Sequence, residues 1–182
     1  MEIILWIIIA AVVLWAVVMF NRLVRLRNQT ATAWSDIDVQ LTKRHDLLPQ
    51  LVRTVSAYAS HEKQLLESVT ELRNTARQIE QPALLAEVED RLEQTVGRLL
   101  LLSEAYPDLK ADQNFAQLQD DLVEIENHLV YARRYYNGAV RDLNTRIEQF
   151  PDLLIARLFR FRQAQFYQAE DAHRPAIETT IE

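Results

Sequence analysis

Residues 43–52 read KRHDLLPQLV, four charged or titratable side chains followed closely by a proline inside an otherwise helical pattern. How this stretch is read decides where the first soluble helix stops. Basic side chains favour a helix C-terminus, where the macrodipole is negative. Asp46 suits the N-cap of a following helix, and Pro49 suits its first turn. The expectation is therefore a polar helix–helix corner, with Leu47 and Leu48 buried beneath it. Arg44, His45 and Asp46 then form an exposed interaction epitope at the far end of the domain. A catalytic His45–Asp46 pair is disfavoured, because sequence neighbours on a helix point about 100° apart.

Upstream, Ile3 to Phe20 reads IILWIIIAAVVLWAVVMF, 18 consecutive apolar residues. A helix of that length spans roughly 27 Å, close to the ~30 Å hydrocarbon core of a bilayer. A helix apolar on every face is expected in lipid. The start, Met1-Glu2, lacks the positive charge of a signal peptide, and the end, Met19-Phe20-Asn21-Arg22, lacks its small residues. A retained span over 1–20 is expected, with Trp6 and Trp15 toward its two interfaces. Arg22, Arg25 and Arg27 follow it, so the positive-inside rule predicts an N-terminus outside and a cytoplasmic domain at the inner (plasma) membrane.

Downstream, apolar positions recur in alternating steps of three and four. They run Leu23, Leu26, Ala33, Ile37, Leu41; then Leu51, Val55, Tyr58, Leu65, Val69, Leu72, Ala76; then Leu85, Val88, Leu92, Val96, Leu99; then Phe115 through Leu122, Leu129, Tyr136 and Leu143 to Phe150. The last is a nearly unbroken heptad stripe of the coiled-coil kind. Pro49, Pro82, Pro107 and Pro151 separate the runs, and Asp108 or Asp112 is placed to cap the last. Short links make neighbouring helices antiparallel. Gly138 falls inside the last stripe and reads as a mid-helix glycine that permits close helix approach. Residues from about Asp171 are polar and read as disordered.

Composition excludes much chemistry. There are two glycines and no cysteine, so no Cys-type zinc site, thiol nucleophile, disulfide or phosphate-cradling Gly loop is expected. A net charge of −6 disfavours nucleic acid as a partner. His61-Glu62 opens like a zincin helix, but Leu65 stands where the second histidine is needed. Glu124 and His128, and Glu170 with His173, are spaced for metal yet read as solvated faces. No metal, cofactor or small-molecule substrate is expected. Glu62, on the apolar stripe, is a candidate buried carboxylate with Arg133 or Arg134 as its partner. The segment 151–169, PDLLIARLFRFRQAQFYQA, suits either a membrane-surface helix or a cover for the membrane-proximal end of the domain. Its Arg157, Arg160, Phe161 and Arg162 join Arg22, Arg25 and Arg27 as membrane-proximal candidates.

Two long stretches carry a resemblance. LVRLRNQTATAWSDIDVQLTKRHDLLPQLVRTVSAYASHE and EAYPDLKADQNFAQLQDDLVEIENHLVYARRYYNGAVRDLNTRIEQFPDLLIA resemble the LemA family domain, over nearly all of residues 21–170. The resemblance implies an all-α protein: an N-terminal transmembrane helix, then an antiparallel up-and-down four-helix bundle. It implies no established enzymatic activity, and a setting among envelope proteins, sometimes beside membrane metalloproteases, with one branch in magnetosome formation. A larger residue is expected at Gly138 in this family. The expected function is a non-enzymatic adaptor or scaffold with an envelope protein partner, a membrane protease among the candidates. A self-associating, membrane-organising protein is the alternative.

Overall fold

The structure, a computed structural model, describes residues 1–167. The Glu170–His173 spacing and the polar tail lie outside the described residues. Every regular element among the described residues is helical: α1 (Glu2–Tyr58), α2 (Lys63–Ala76), α3 (Pro82–Leu101), α4 (Pro107–Lys110), α5 (Gln113–Glu148) and α6 (Asp152–Leu158), with a single 3-10 turn at Leu102–Glu104.

The first boundary corrects the sequence reading. α1 does not end near Pro49; it passes through it and stops at Tyr58. A proline inside a helix deprives the carbonyl four residues earlier of its N–H partner, here that of His45. Arg73 on α2 replaces it, its Nε donating to the His45 carbonyl oxygen at 2.6 Å. The helix continues because the orphaned acceptor is satisfied from outside. Lys43 to Gln50 are helix interior, and Asp46 caps nothing.

The break between Tyr58 and Lys63 also departs from the sequence reading, which ran Leu51 to Ala76 as one stripe, whereas the later boundaries follow it. Pro82 occupies the first turn of α3 and Pro107 that of α4. The Asp112 carboxylate accepts the Phe115 backbone N–H at 2.9 Å, capping α5. α5 ends at Glu148, just before Gln149-Phe150-Pro151. Gly138 lies within α5, but a Cβ added there would meet nothing within 4 Å, so no close approach depends on it.

Contacts group the chain into two compact units that both draw on α1 and α5. The first holds residues 1–37 and 132–165. Its core is Leu23, Leu143, Ile147, Ile155 and Ala156, with Trp15, Ala16, Met19 and Phe20 packed on it. Trp34 meets Tyr136 with ring centroids 5.2 Å apart. Asn144 clamps the segment after α6 by donating to the Ala164 carbonyl and accepting its N–H, both at 2.9 Å. The second unit holds residues 38–131 and, among described residues, 166–167. Its core takes Leu48, Leu51 and Val55 from α1, Leu66 and Val69 from α2, Leu92, Val96 and Leu99 from α3, and Phe115, Leu118 and Leu122 from α5.

Candidate functional site

Within the second unit, the charged stretch of α1 turns inward. Arg44 is 1% exposed and His45 7%, so neither belongs to a surface epitope; Asp46 alone of the three faces solvent. The partner they share is Glu89 on α3, which is 0% exposed. Arg44 reaches one oxygen of Glu89 at 3.1 Å, and His45 Nε2 reaches the other at 2.7 Å. Arg44 also contacts half-buried Glu126 on α5 at 2.5 Å, with Glu93 farther off at 3.9 Å. With Arg73 on the His45 carbonyl, side chains from α1, α2, α3 and α5 meet in one polar network. A buried carboxylate is retained only when charge and hydrogen bonds compensate it. Here both Glu89 oxygens are engaged. The network's chemistry is that of a tie between helices.

Glu62 is not the buried carboxylate. It stands at the N-cap of α2, half-buried, with no side-chain capping bond, because the chain breaks helix between Tyr58 and Lys63. Arg133 and Arg134 lie on α5 in the first unit. Glu124 and His128 form an exposed i, i+4 pair at 3.6 Å. No group of three or more metal-ligating side chains gathers among the described residues.

Another polar pair of the second unit joins α1 to the start of α5. The Tyr58 hydroxyl donates to Asp112 at 2.8 Å. The Phe115 N–H first, and the Tyr58 hydroxyl second, hold the Asp112 carboxyl below the usual carboxylate value; the same bond raises Tyr58. In the first unit, burial raises Tyr136, whose hydroxyl donates to the Gln165 carbonyl at 2.8 Å.

The membrane-proximal candidates fall together in the first unit. Arg22, Arg25 and Arg27 are exposed, as are Arg157, Arg160 and Arg162. Phe161 lies over Phe20, centroids 5.8 Å apart, and the Arg27 guanidinium sits 5.6 Å from its ring. The segment 151–169 does not form one long helix. α6 ends at Leu158, Arg160 takes φ 56°, and the described residues from there to Tyr167 have no regular structure. The reason is tertiary: Phe161 packs on Phe20, far earlier in the chain, and Asn144 bonds both backbone groups of Ala164. Ile155 and Ala156 cover the core of this unit, while Phe150, assigned to the apolar stripe, is 74% exposed.

Sequence reasoning passed over Glu89 and Arg73. Glu89 carried a signal, since it stands beside Val88, four residues after Leu85 and three before Leu92 on the α3 stripe.

The profile of the LemA family matches residues 33–180. Protein LemA of Metamycoplasma hominis is 24% identical over 161 residues, covering 88% of this chain and 74% of that protein. Magnetosome protein MamQ 2 of Paramagnetospirillum magneticum is 20% identical over 188 residues, covering 89% of this chain and 68% of that protein.

Proposed function

The chain belongs to the LemA family, and on that premise we propose that it is a membrane-anchored, non-enzymatic helical protein that binds other envelope proteins as an adaptor or scaffold. The observation that carries the binding role is the outward face of α5 in the second unit. Val123, Val130 and Tyr131 are 53%, 42% and 70% exposed there. Their spacing puts them within about 100° of one another around the helix, so they share one face, on either side of exposed Asn127. Apolar side chains that gather on one exposed helix face give a partner surface to bury. The groups that would otherwise supply chemistry, Arg44, His45 and Glu89, are engaged with one another.

In this reading the run Ile3–Phe20 anchors the protein in the inner (plasma) membrane. α1 carries a window of mean hydropathy 3.1 that is 0% buried, which supports an anchor. The arginines after the span support a cytoplasmic domain. α1, α2, α3 and α5 make an antiparallel up-and-down four-helix bundle, supported by the second unit's core, which draws on all four. The partner is another envelope protein, a membrane protease among the candidates. A self-associating, membrane-organising role is the second reading, favoured by the relative named as a magnetosome protein.

The test is photo-crosslinking in cells, with benzoylphenylalanine placed at Val123, Val130 or Tyr131 and, as a control, at exposed Glu67. The adaptor reading predicts a crosslink from this face to a different membrane protein, absent from position 67. Crosslinks only to further copies of the chain would select the self-associating reading. Silence at all three positions on the face would contradict both.

A further inference from the structure

The apolar run of α1 does not stand clear of the first unit. Trp15, Ala16, Met19 and Phe20, its last turns, pack against the core built by Leu23, Leu143, Ile147, Ile155 and Ala156. The residues after α6 reach the same place. Phe159 and Phe161 lie 4.7 and 5.8 Å from Phe20, centroid to centroid. Side chains that touch Phe20 sit at the depth where hydrocarbon gives way to headgroups. Yet Phe150, Leu154, Leu158 and Phe159 point outward, with exposures of 74%, 54%, 71% and 54%. Arginine surrounds them: Arg22, Arg25 and Arg27 on α1, and Arg157, Arg160 and Arg162 at α6, are all exposed. Across residues 20–27 and 149–162 the one acidic side chain is Asp152. It is buried and bonded to Arg146 at 3.2 Å, so among the described residues of these two stretches no exposed carboxylate faces the arginines.

We propose that this face of the first unit lies in the headgroup layer of the same bilayer that holds α1. Phe150, Leu154, Leu158 and Phe159 enter the acyl boundary, and the six arginines meet the phosphates of anionic phospholipids. The pattern is that of an interfacial segment: large apolar side chains beside cations that extend toward phosphate. The occupant follows from position. The span enters the bilayer through the very turn that Phe159 and Phe161 cover, so lipid is the medium already adjacent. A soluble anion would account for the arginines but not for four outward apolar side chains.

The proposal rests on the membrane anchor of the preceding reading, and its test separates the two. The chain has no cysteine, so single cysteines can be placed in the full-length protein as Val12→Cys in the span, Leu158→Cys on the face, and Tyr135→Cys as a control. The Tyr135 hydroxyl lies 3.4 Å from the side-chain nitrogen of Gln29, roughly 13 Å along α1 from Phe20. Each variant is labelled with bimane and inserted, one copy per disc, into phosphatidylcholine nanodiscs with or without phosphatidylglycerol. Doxyl-labelled phospholipids serve as quenchers. The expected result is quenching and a blue shift at positions 12 and 158 but not 135. The shift at 158 should weaken without phosphatidylglycerol, and with Arg157→Gln, Arg160→Gln and Arg162→Gln combined. Quenching at 12 with a water-like signal at 158 would overturn the proposal and leave the anchor standing. No quenching at 12 would overturn both. An equal shift at 158 with and without anionic lipid would remove the arginines from the account.

Discussion

Glu89 concentrates the energetics of the second unit in one side chain. It is fully buried, and Arg44, itself 1% exposed, depends on it for compensation. Removing one member of a buried pair leaves the other desolvated and under-compensated, typically at a cost of 3–5 kcal/mol. Arg44 keeps its contact with Glu126, so Glu89→Gln should cost about 3 kcal/mol, the low end of that range. Replacing both partners, as Arg44→Met with Glu89→Leu, should recover most of the loss, because an apolar pair carries no desolvation penalty. Urea titration of the full chain in detergent micelles, followed by circular dichroism, measures both. A Glu89→Gln protein as stable as its parent would mean the network is solvated. The logic of a buried carboxylate needing a basic partner was legible in the sequence, but it was applied to Glu62. The error has one origin: with the first helix ended at Pro49, Arg44 and His45 were assigned to solvent and were not sought as partners.

That misplacement belongs to the scale of the element. The apolar stripe of α1 in fact runs in phase through the proline, as Ile37, Leu41, Leu48, Leu51 and Val55, all buried. Arg44 and His45 fill the gap in its spacing. Local propensity favoured a stop, and periodicity favoured continuation; tertiary context decided, through an acceptor satisfied by Arg73. No local pattern shows that an arginine 28 positions away will satisfy a carbonyl. This account predicts a coupled pair. Arg73→Met should cost about 1.5 kcal/mol, the scale of a hydrogen bond to a charged group. Most of that should vanish in a Pro49→Ala background, where residue 49 supplies its own N–H to the His45 carbonyl. A double-mutant cycle by urea titration measures the coupling, and additive effects would contradict it. Elsewhere the stop signals and the structure agree. Pro82, Pro107 and the Asp112 cap mark real helix starts. At these places the signal and the satisfied backbone group lie within one turn of each other, which is why they could be read directly. The opposite held for 151–169, where Phe161 folding onto Phe20 ended a helix that composition alone would have continued.

For the whole molecule, α1 carries both the apolar run and side chains of both compact units. In the proposed reading, an anchor that is also a structural helix sets the folded protein beside the membrane, where an adaptor would meet its partners. The apolar run and the helical stripes were legible because each is a long periodic pattern in contiguous sequence. The outward face of α5 was not, because Val123, Val130 and Tyr131 are apolar residues that only the fold leaves exposed. The central claim is that the chain is a membrane-anchored binding protein. Proximity labelling in intact cells tests it most directly, with the labelling enzyme fused after Glu182 and a second fusion lacking residues 1–20 as the comparison. The account predicts that the full chain enriches cytoplasm-facing membrane proteins and that the shortened chain does not. The same labelled set from both fusions would contradict it.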